Sequence, residues 1–198
     1  MPVKLHGLYA ITPEGPGIID KVRAALEGGV SLLQYRRKAA PSASEARALA
    51  QLSRSYGVPF IVNDDLALAL EVGADGLHLG HEDGDLAAAR KALPGKLLGA
   101  SCYDRLELAR AAADAGADYV AFGSVFASPT KPAAVQAQLS VLGAARGLGV
   151  AVCAIGGITL SNAPQALAAG ADLLAVISDL FDAPDIRQRA SQYKRLFS

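Results

Sequence analysis

The chain has 198 residues, of which 52% are hydrophobic and 19% charged, and this composition predicts one well-filled domain, residues 1–198, rather than a disordered chain. Nineteen basic residues balance nineteen acidic ones, so charge gives no reason to expect nucleic acid or an anionic membrane as a partner. No apolar run reaches the roughly 18 residues that span a bilayer and no signal-peptide pattern opens the chain, so we expect a cytoplasmic protein in which Cys102 and Cys153 are free thiols.

Short runs rich in Val, Ile, Leu and aromatic residues alternate with Ala-rich segments of helical period. The runs predict eight strands, at 7–12, 32–35, 59–62, 76–79, 97–100, 119–122, 151–155 and 173–177. The other segments predict helices at 16–26, 42–56, 64–72, 85–92, 104–115, 136–147, 161–169 and 183–197. Two of these helices have a capping-box spacing, Ser42 with Glu45 and Asp104 with Glu107.

The tripeptide Gly-Ala-Asp occurs at 73–75, 116–118 and 170–172, each time between a predicted helix and a predicted strand. Glycine suits the left-handed position after a helix and aspartate suits a turn, so we interpret the repeat as punctuation of a repeating βα unit. Eight such units without a linker favour a closed (β/α)₈ barrel, the TIM barrel. An open doubly wound sheet is the alternative, and it fits less well because no Gly-x-Gly-x-x-Gly pattern follows the first strand.

Five of the predicted strands run into polar residues, at 34–38, 63–64, 101, 123–131 and 178. In a barrel these carboxyl ends share one rim, where barrel active sites lie. We therefore expect the polar ends to form one site.

Two anion sites are expected at this rim. Gln34, Arg36 and Lys38 alternate along a strand end and should project together, while Tyr35 and Arg37 point away. Two cations on one face suit an anion, although a solvated basic patch explains these residues equally well.

Gly156 and Gly157 follow the seventh strand, where barrels frequently bind phosphate with the loops after strands seven and eight. An ordinary tight turn is the alternative for the pair.

Two carboxylates should meet at the same rim. Asp64 ends the third strand and Asp83 follows the fourth, so neighbouring strands offer both side chains to one point. Mg²⁺ usually takes one or two protein carboxylates and completes its shell with water and phosphate oxygen, which predicts a magnesium site. Helix capping is the alternative for Asp64. His78 alternates with apolar neighbours and could point into the barrel.

Seven motifs follow one another along the chain: Gln34-Tyr-Arg-Arg-Lys38, Asn63-Asp64, His78-Leu-Gly-His-Glu-Asp83, Gly99-Ala-Ser101, Gly123-Ser-Val-Phe-Ala-Ser-Pro-Thr-Lys131, Ala154-Ile-Gly-Gly-Ile158 and Val176-Ile-Ser178. Their order resembles the thiamine phosphate synthase family, from Leu8 to Ser178. That family is a (β/α)₈ barrel that joins the diphosphate of 4-amino-5-hydroxymethyl-2-methylpyrimidine to 4-methyl-5-(2-phosphooxyethyl)thiazole, or its carboxylated precursor. The products are thiamine phosphate and pyrophosphate.

The resemblance implies a role for each matching residue. The pyrimidine diphosphate would contact Gln34, Tyr35, Arg36, Arg37, Lys38, Asn63, Ser101 and Lys131. The thiazole phosphate would contact Ser128, Pro129, Thr130, Gly157, Ile177 and Ser178. Asp64 and Asp83 would hold Mg²⁺, and the catalytic residues would be Arg36, Lys38 and Lys131, which spread the charge of the departing pyrophosphate.

The chain departs from the family's usual residues at Ser124, Ser128 and His81, where Pro, Thr and Gln are common. A hydroxyl is kept at Ser128, and the other two changes affect local loop shape. The resemblance implies small-molecule substrates as partners and leaves homo-oligomerisation open.

Two alternatives to the synthase are kept. A thiazole tautomerase paralogue would share the barrel but lack the basic and metal-binding residues. A noncatalytic phosphate-ligand binder would tolerate loss of Asp64 or Asp83, and this chain has both.

Overall fold

In a computed structural model of the chain, which describes residues 5–37, 41–80, 83–127 and 136–198, eight parallel strands close into a barrel. The strands pair in chain order and β8 returns to β1, which confirms the predicted fold class. They are β1 (Gly7–Ile11), β2 (Leu32–Tyr35), β3 (Phe60–Asn63), β4 (Gly76–Leu79), β5 (Leu97–Tyr103), β6 (Tyr119–Phe122), β7 (Ala151–Ile155) and β8 (Leu173–Val176).

The predicted helices are present, with ends that differ by a few residues. They are α1 (Ile18–Gly28), α2 (Ala43–Ser55), α3 (Leu66–Val72), α4 (Leu86–Ala92), α5 (Leu106–Asp114), α6 (Ser140–Ala145), which runs into a 3₁₀ turn (Arg146–Leu148), α7 (Ala163–Ala168) and α9 (Ile186–Arg195). A further helix, α8 (Ser178–Phe181), was not predicted, because one turn is too short to show a helical period. No helix in the described ranges is both long and apolar enough to cross a membrane.

One of the two predicted capping boxes forms in part. Ser42 Oγ accepts a hydrogen bond from the Glu45 N–H at 3.3 Å, whereas the Glu45 carboxylate pairs with Arg37 instead of closing the box. The prediction for Asp104 was wrong. β5 continues to Tyr103 and a turn follows, so α5 begins at Leu106 without a side-chain cap.

The alternating residues of the strands build two apolar layers. One layer fills the space between the strands and the helices, and it contains Tyr35, Phe60 and Cys102. The other fills the barrel interior with Leu5, Tyr9, Ile11, Leu32, Ile61, Tyr119, Ala121, Cys153, Leu173 and Ala175. Both cysteines are buried free thiols, as predicted, and burial raises the pKa of Cys102 to about 12.

The Gly-Ala-Asp repeat does more than end helices. Asp75, Asp118 and Asp172 each accept a hydrogen bond from the first or second N–H of the preceding strand, at 3.0, 2.8 and 2.9 Å. The carbonyl oxygen of each aspartate also accepts from the first N–H of the strand on the far side of its own, that of Leu97, Ala151 and Gly7 in turn, so each residue ties three strands together. These bonds lie at the amino ends of the strands, the face of the barrel that serves stability.

Candidate active site

The rim at the carboxyl ends of the strands carries those predicted site residues that the structure describes. Those that lie within the described residues are Gln34, Tyr35, Arg36, Arg37, Asn63, Asp64, Asp83, Ser101, Gly157, Ile177 and Ser178. Lys38, His81, Ser128, Pro129, Thr130 and Lys131 lie outside the described residues.

At the end of β2, Gln34 and Tyr35 show the predicted alternation of side chains. Gln34 points into the barrel, where its Nε2 donates to the Tyr9 hydroxyl oxygen at 2.6 Å. Tyr35 points to the helices and stacks on Phe60 with a ring separation of 6.4 Å. The Tyr35 hydroxyl accepts from the Ser42 N–H at 3.1 Å, and burial raises the pKa of this phenol.

Arg37 and Arg36 have different electrostatic surroundings. Arg37 pairs with Glu45 at 2.7 Å and with Glu14 at 3.1 Å. The Glu45 carboxylate raises the pKa of the Arg37 guanidinium, and Arg37 in turn lowers the pKa of Glu45. Arg36 forms no salt bridge within the described ranges, so its charge is the less compensated of the two. The backbone N–H of Arg36 donates to Thr12 Oγ1 at 2.9 Å, which anchors it at the rim.

Asp64 is held at the rim by its neighbours, not by a helix. Its backbone has a φ of 62°, a left-handed conformation that aspartate tolerates better than most residues. The Gly80 N–H donates to Asp64 Oδ1 at 3.2 Å, and the Asn63 amide donates to Oδ2. The capping alternative for Asp64 was wrong, because Asp65 caps α3 by accepting from the Leu68 N–H at 2.8 Å.

Asp83 reaches the same point from the loop after β4. Its Oδ2 lies 2.0 Å from the position that a Cβ of residue 80 would take, so the carboxylate occupies the space that Gly80 leaves open. Partial burial raises the pKa of Asp64 and the negative charge of Asp83 adds to the rise, while the hydrogen bonds from Gly80 and Asn63 and the charge of Arg36 oppose it. The structure therefore brings the two predicted carboxylates close together.

This pair fits the donor set of a magnesium ion. It offers carboxylate oxygens, and its mutual repulsion is relieved by a cation. In the described part of the chain, no cluster of three His, Cys, Asp or Glu residues could hold a metal, so an ion at this point would have the two carboxylates as protein ligands, with water and phosphate in the other positions.

A cavity of about 530 Å³ adjoins the carboxylates, a size that suits a small-molecule ligand. Its lining includes Tyr35, Arg37, Asn63, Asp64 and Asp83. Residues that follow three neighbouring strands thus share one concave surface.

Five polar side chains form the interior hydrogen-bond chain, which crosses the barrel beneath the rim. Gln34 bonds to Tyr9, Tyr9 to Tyr119 at 2.6 Å, Tyr119 to His78 Nδ1 at 3.0 Å, and His78 Nε2 to Ser101 Oγ at 2.9 Å. Burial raises the pKa of both phenols and lowers the pKa of His78 to about 4, so the whole chain is uncharged at neutral pH. The inward direction expected for His78 is confirmed.

Sequence reasoning missed Tyr9 and Tyr119. Each occupies an inward position of an apolar strand, and the signal that could have found them is a single polar ring in the alternating pattern of β1 and β6.

The loop after β7 lies against the loop after β6. Gly156 and Gly157 have φ values of 98° and 62°, and a Cβ at Gly157 would lie 2.4 Å from the Ala127 carbonyl oxygen. The two glycines therefore allow a close approach of two loops and are more than a tight turn. Ser124 donates to the Phe126 carbonyl oxygen at 2.6 Å, so this departure from the family pattern helps to shape the β6 loop.

The start of α8 is fixed from outside the barrel. Ile177 and Ser178 begin this helix, and the next residue, Asp179, pairs with Arg189 of α9 at 2.7 Å. Tyr193 also donates to Asp179 Oδ2, at 2.7 Å. These two contacts of Asp179, which we call the Asp179 clamp, were not predicted. Nothing in the spacing of the residues indicates that the two helices meet.

The chain is similar to known proteins over nearly its whole length. Residues 8–180 match the family model described as Thiamine monophosphate synthase. The thiamine-phosphate synthase of Aromatoleum aromaticum is 56% identical over 202 residues, which cover 98% of this chain and 97% of the relative. That of Thiobacillus denitrificans is 54% identical over 200 residues, which cover 97% and 95%.

A solved structure shares the same barrel. It is the thiamine phosphate pyrophosphorylase from Pyrococcus furiosus, with a TM-score of 0.87 and 38% sequence identity. The match covers 98% of this chain and 96% of that one.

Proposed function

Because the chain belongs to the thiamine-phosphate synthase family and its function is the synthesis of thiamine phosphate, we propose how its site carries out this transferase reaction. The substrates are the diphosphate of 4-amino-5-hydroxymethyl-2-methylpyrimidine and 4-methyl-5-(2-phosphooxyethyl)thiazole, or the carboxylate form of the thiazole. The pyrimidinylmethyl group moves to the thiazole nitrogen, and pyrophosphate leaves.

The pyrimidine diphosphate lies across the rim in this proposal. Its ring faces the neutral barrel interior at Gln34, and its diphosphate faces Arg36, Asn63 and Ser101. This placement is supported by the distribution of charge. The interior hydrogen-bond chain is uncharged, whereas the charged side chains Arg36, Asp64 and Asp83 follow the strands at the rim. Tyr35 and Arg37 line the adjoining cavity, and Lys38 and Lys131 complete the proposed set of cations.

Asp64 and Asp83 would hold Mg²⁺ together with diphosphate oxygens. When bound, the ion supplies positive charge that neutralises the pyrophosphate leaving group. Asn63 and Gly80 orient Asp64 for this role through their hydrogen bonds to its two carboxylate oxygens.

The reaction breaks the carbon–oxygen bond between the pyrimidinylmethyl group and the diphosphate, and the electron pair leaves with the oxygen. Arg36 spreads the resulting charge, together with the proposed Lys38 and Lys131. The lone pair of the thiazole nitrogen then forms the new carbon–nitrogen bond, and no proton has to be removed. A neutral His78 suits this chemistry, because an imidazolium beneath the site would repel positive charge that develops on the carbon.

The thiazole phosphate occupies the other side of the rim, between the loops after β6, β7 and β8. Gly157, Ile177 and Ser178 form its cradle in the proposal, together with Ser128, Pro129 and Thr130. The close approach of the β6 and β7 loops and the Asp179 clamp on α8 support this placement, because both give the cradle a rigid frame.

The observation on which the proposed mechanism depends is that Asp64 and Asp83 both lie next to Gly80. Purified protein, incubated with both substrates and Mg²⁺, should form thiamine phosphate, detected by chromatography. A tautomerase would isomerise the thiazole without consuming the pyrimidine diphosphate, and a noncatalytic binder would change neither compound.

We also propose that residues 1–198 act as one domain, since β1 pairs with β8 and α1 packs against α9. A cytoplasmic location is part of the proposal, and cell fractionation tests it. Sedimentation of the purified protein tests whether it forms a homo-oligomer.

A further inference from the structure

The interior hydrogen-bond chain joins two residues of the proposed diphosphate site through three that lie below it. Gln34 and Ser101 are its ends, on β2 and β5. Tyr9, Tyr119 and His78 connect them and are at most 6% exposed. A buried polar network of this kind is stable only when each member is satisfied, and no buried side-chain oxygen or nitrogen in the described residues lacks a partner.

The packing leaves the rings of the chain little freedom. Tyr9 and Tyr119 meet edge to face with centroids 5.6 Å apart, and His78 stacks on Tyr119 at 5.5 Å and an interplanar angle of 26°. A Cβ at Gly99 would lie 2.0 Å from Cζ of Tyr119, so the phenol fills the space of the missing side chain. Because residue 99 has no side chain, the Tyr119 ring can occupy the centre of the barrel.

The direction of every hydrogen bond follows from the first donor. Gln34 Nε2 donates to the Tyr9 oxygen, and the buried Tyr9 hydrogen then has the Tyr119 oxygen as its acceptor among the described side chains. The Tyr119 hydrogen is then directed to His78 Nδ1. A neutral imidazole carries one N–H, which this arrangement puts on Nε2, where it donates to Ser101 Oγ.

We propose that Tyr9, Tyr119 and His78 are positioning residues that set the direction in which the Ser101 hydroxyl bonds. Ser101 accepts from His78, and its single hydrogen is left to point at an acceptor above it. A diphosphate oxygen of the substrate is such an acceptor, so the inference rests on the proposed function and deepens it.

The opposite direction would defeat anion binding. With the Gln34 amide turned over, Oε1 would accept from Tyr9 and each later bond would reverse. Ser101 would then donate to His78 Nε2 and offer only lone pairs to the diphosphate. The Gln34 amide thus controls, across the barrel, whether Ser101 is a donor for the substrate.

The tautomer of His78 tests this directly, without substrate. In two-bond ¹⁵N–¹H spectra of the labelled full chain at pH 7, the three histidines can be told apart by the loss of one set of signals in His78→Gln. We expect His78 to be a single tautomer with the proton on Nε2, and Tyr119→Phe to convert it to a mixture, because Nδ1 loses its donor. A proton on Nδ1 in the unmodified protein, or no change in Tyr119→Phe, overturns the proposal.

A double-mutant cycle with Tyr119→Phe and Ser101→Ala tests whether the effect passes through Ser101. We expect Tyr119→Phe alone to lower kcat/KM about tenfold, the size of one net hydrogen bond, and to lower it less than about twofold when Ser101 is already alanine. An equal factor in both backgrounds overturns the proposal.

Ser53→Ala is the matched control for the cycle. Ser53 is fully buried and donates to the Val58 carbonyl oxygen at 2.7 Å, so this variant loses a buried hydroxyl bond at the far end of α2. It should melt earlier without a change in kcat/KM or in the His78 tautomer, and a change in that tautomer contradicts the inference. If neither the unmodified protein nor any variant makes thiamine phosphate, the proposed mechanism fails. The spectra still decide the direction of the hydrogen bonds in the interior hydrogen-bond chain.

Discussion

The Asp83 carboxylate occupies the side-chain space of Gly80, with its Oδ2 2.0 Å from the position of an added Cβ. The N–H of the same glycine donates to Asp64, so residue 80 sets the spacing of both carboxylates. A methyl group at residue 80 must push Asp83 aside, although the backbone of Gly80 lies outside the left-handed region.

Gly80→Ala should therefore weaken magnesium use more than folding. We expect the Mg²⁺ concentration for half-maximal activity to rise about tenfold or more, as when an outer contact of a metal ligand is lost, with little change in Tm. Activity measured over a Mg²⁺ series checks this. Gly147→Ala is the control, because an added Cβ there meets no atom within 4 Å. An unchanged Mg²⁺ requirement in Gly80→Ala would count against the shared site.

Asp64→Asn and Asp83→Asn should each lower turnover about a hundredfold at limiting Mg²⁺, since each removes a proposed metal ligand. Neither should lower Tm, because the change relieves a partly buried like-charge contact and opens no cavity. Steady-state kinetics and thermal melts give the two readouts. Asp85→Asn removes a nearby charge that caps α4, and it should keep its activity. Full turnover in both rim variants would reject the metal assignment.

His78 should make folding stability depend on pH. Burial lowers its pKa from 6.5 to about 4, so between these values the unfolded chain binds a proton that the folded chain does not. The contribution of His78 to the free energy of unfolding is therefore fully present above about pH 6.5 and is lost as the pH falls toward 4. The loss is about 3 kcal/mol, because each unit of pKa difference corresponds to about 1.36 kcal/mol. Urea unfolding at pH 7 and pH 4.5 should show a smaller loss for His78→Gln than for the unmodified chain. Parallel losses, or an NMR titration that protonates His78 above pH 6, would contradict the burial argument.

Asp75→Ala should cost stability without costing catalysis. It leaves the buried Phe60 N–H without its carboxylate partner at the amino end of the barrel, a loss of about 1–3 kcal/mol. Denaturant unfolding measures the loss, and kcat per folded molecule should stay the same. Asp172→Ala removes the equivalent bond to Val152 and should behave alike. A fall in kcat for either variant would show that this face of the barrel communicates with the rim.

The sequence predicted the barrel because its strands are short apolar runs separated by glycine and aspartate, both local signals. It also predicted that Asp64 and Asp83 would meet, because parallel strand ends share a rim. The partners of these residues depend on three-dimensional proximity and were missed. Tyr9 and Tyr119 are 110 residues apart and meet only when the barrel closes. The same is true of Asp179 and Tyr193, which meet when α9 packs beside α8.

The most direct test of the account measures both products in one reaction. Purified protein with the pyrimidine diphosphate, the thiazole phosphate and Mg²⁺ should release one pyrophosphate for each thiamine phosphate formed, and a chelator should stop both together. Omitting the thiazole should leave pyrophosphate release far slower than in the complete reaction. Rapid pyrophosphate release without thiamine phosphate, or equal formation of thiamine phosphate in the presence of the chelator, would contradict the proposed Mg²⁺-dependent transfer.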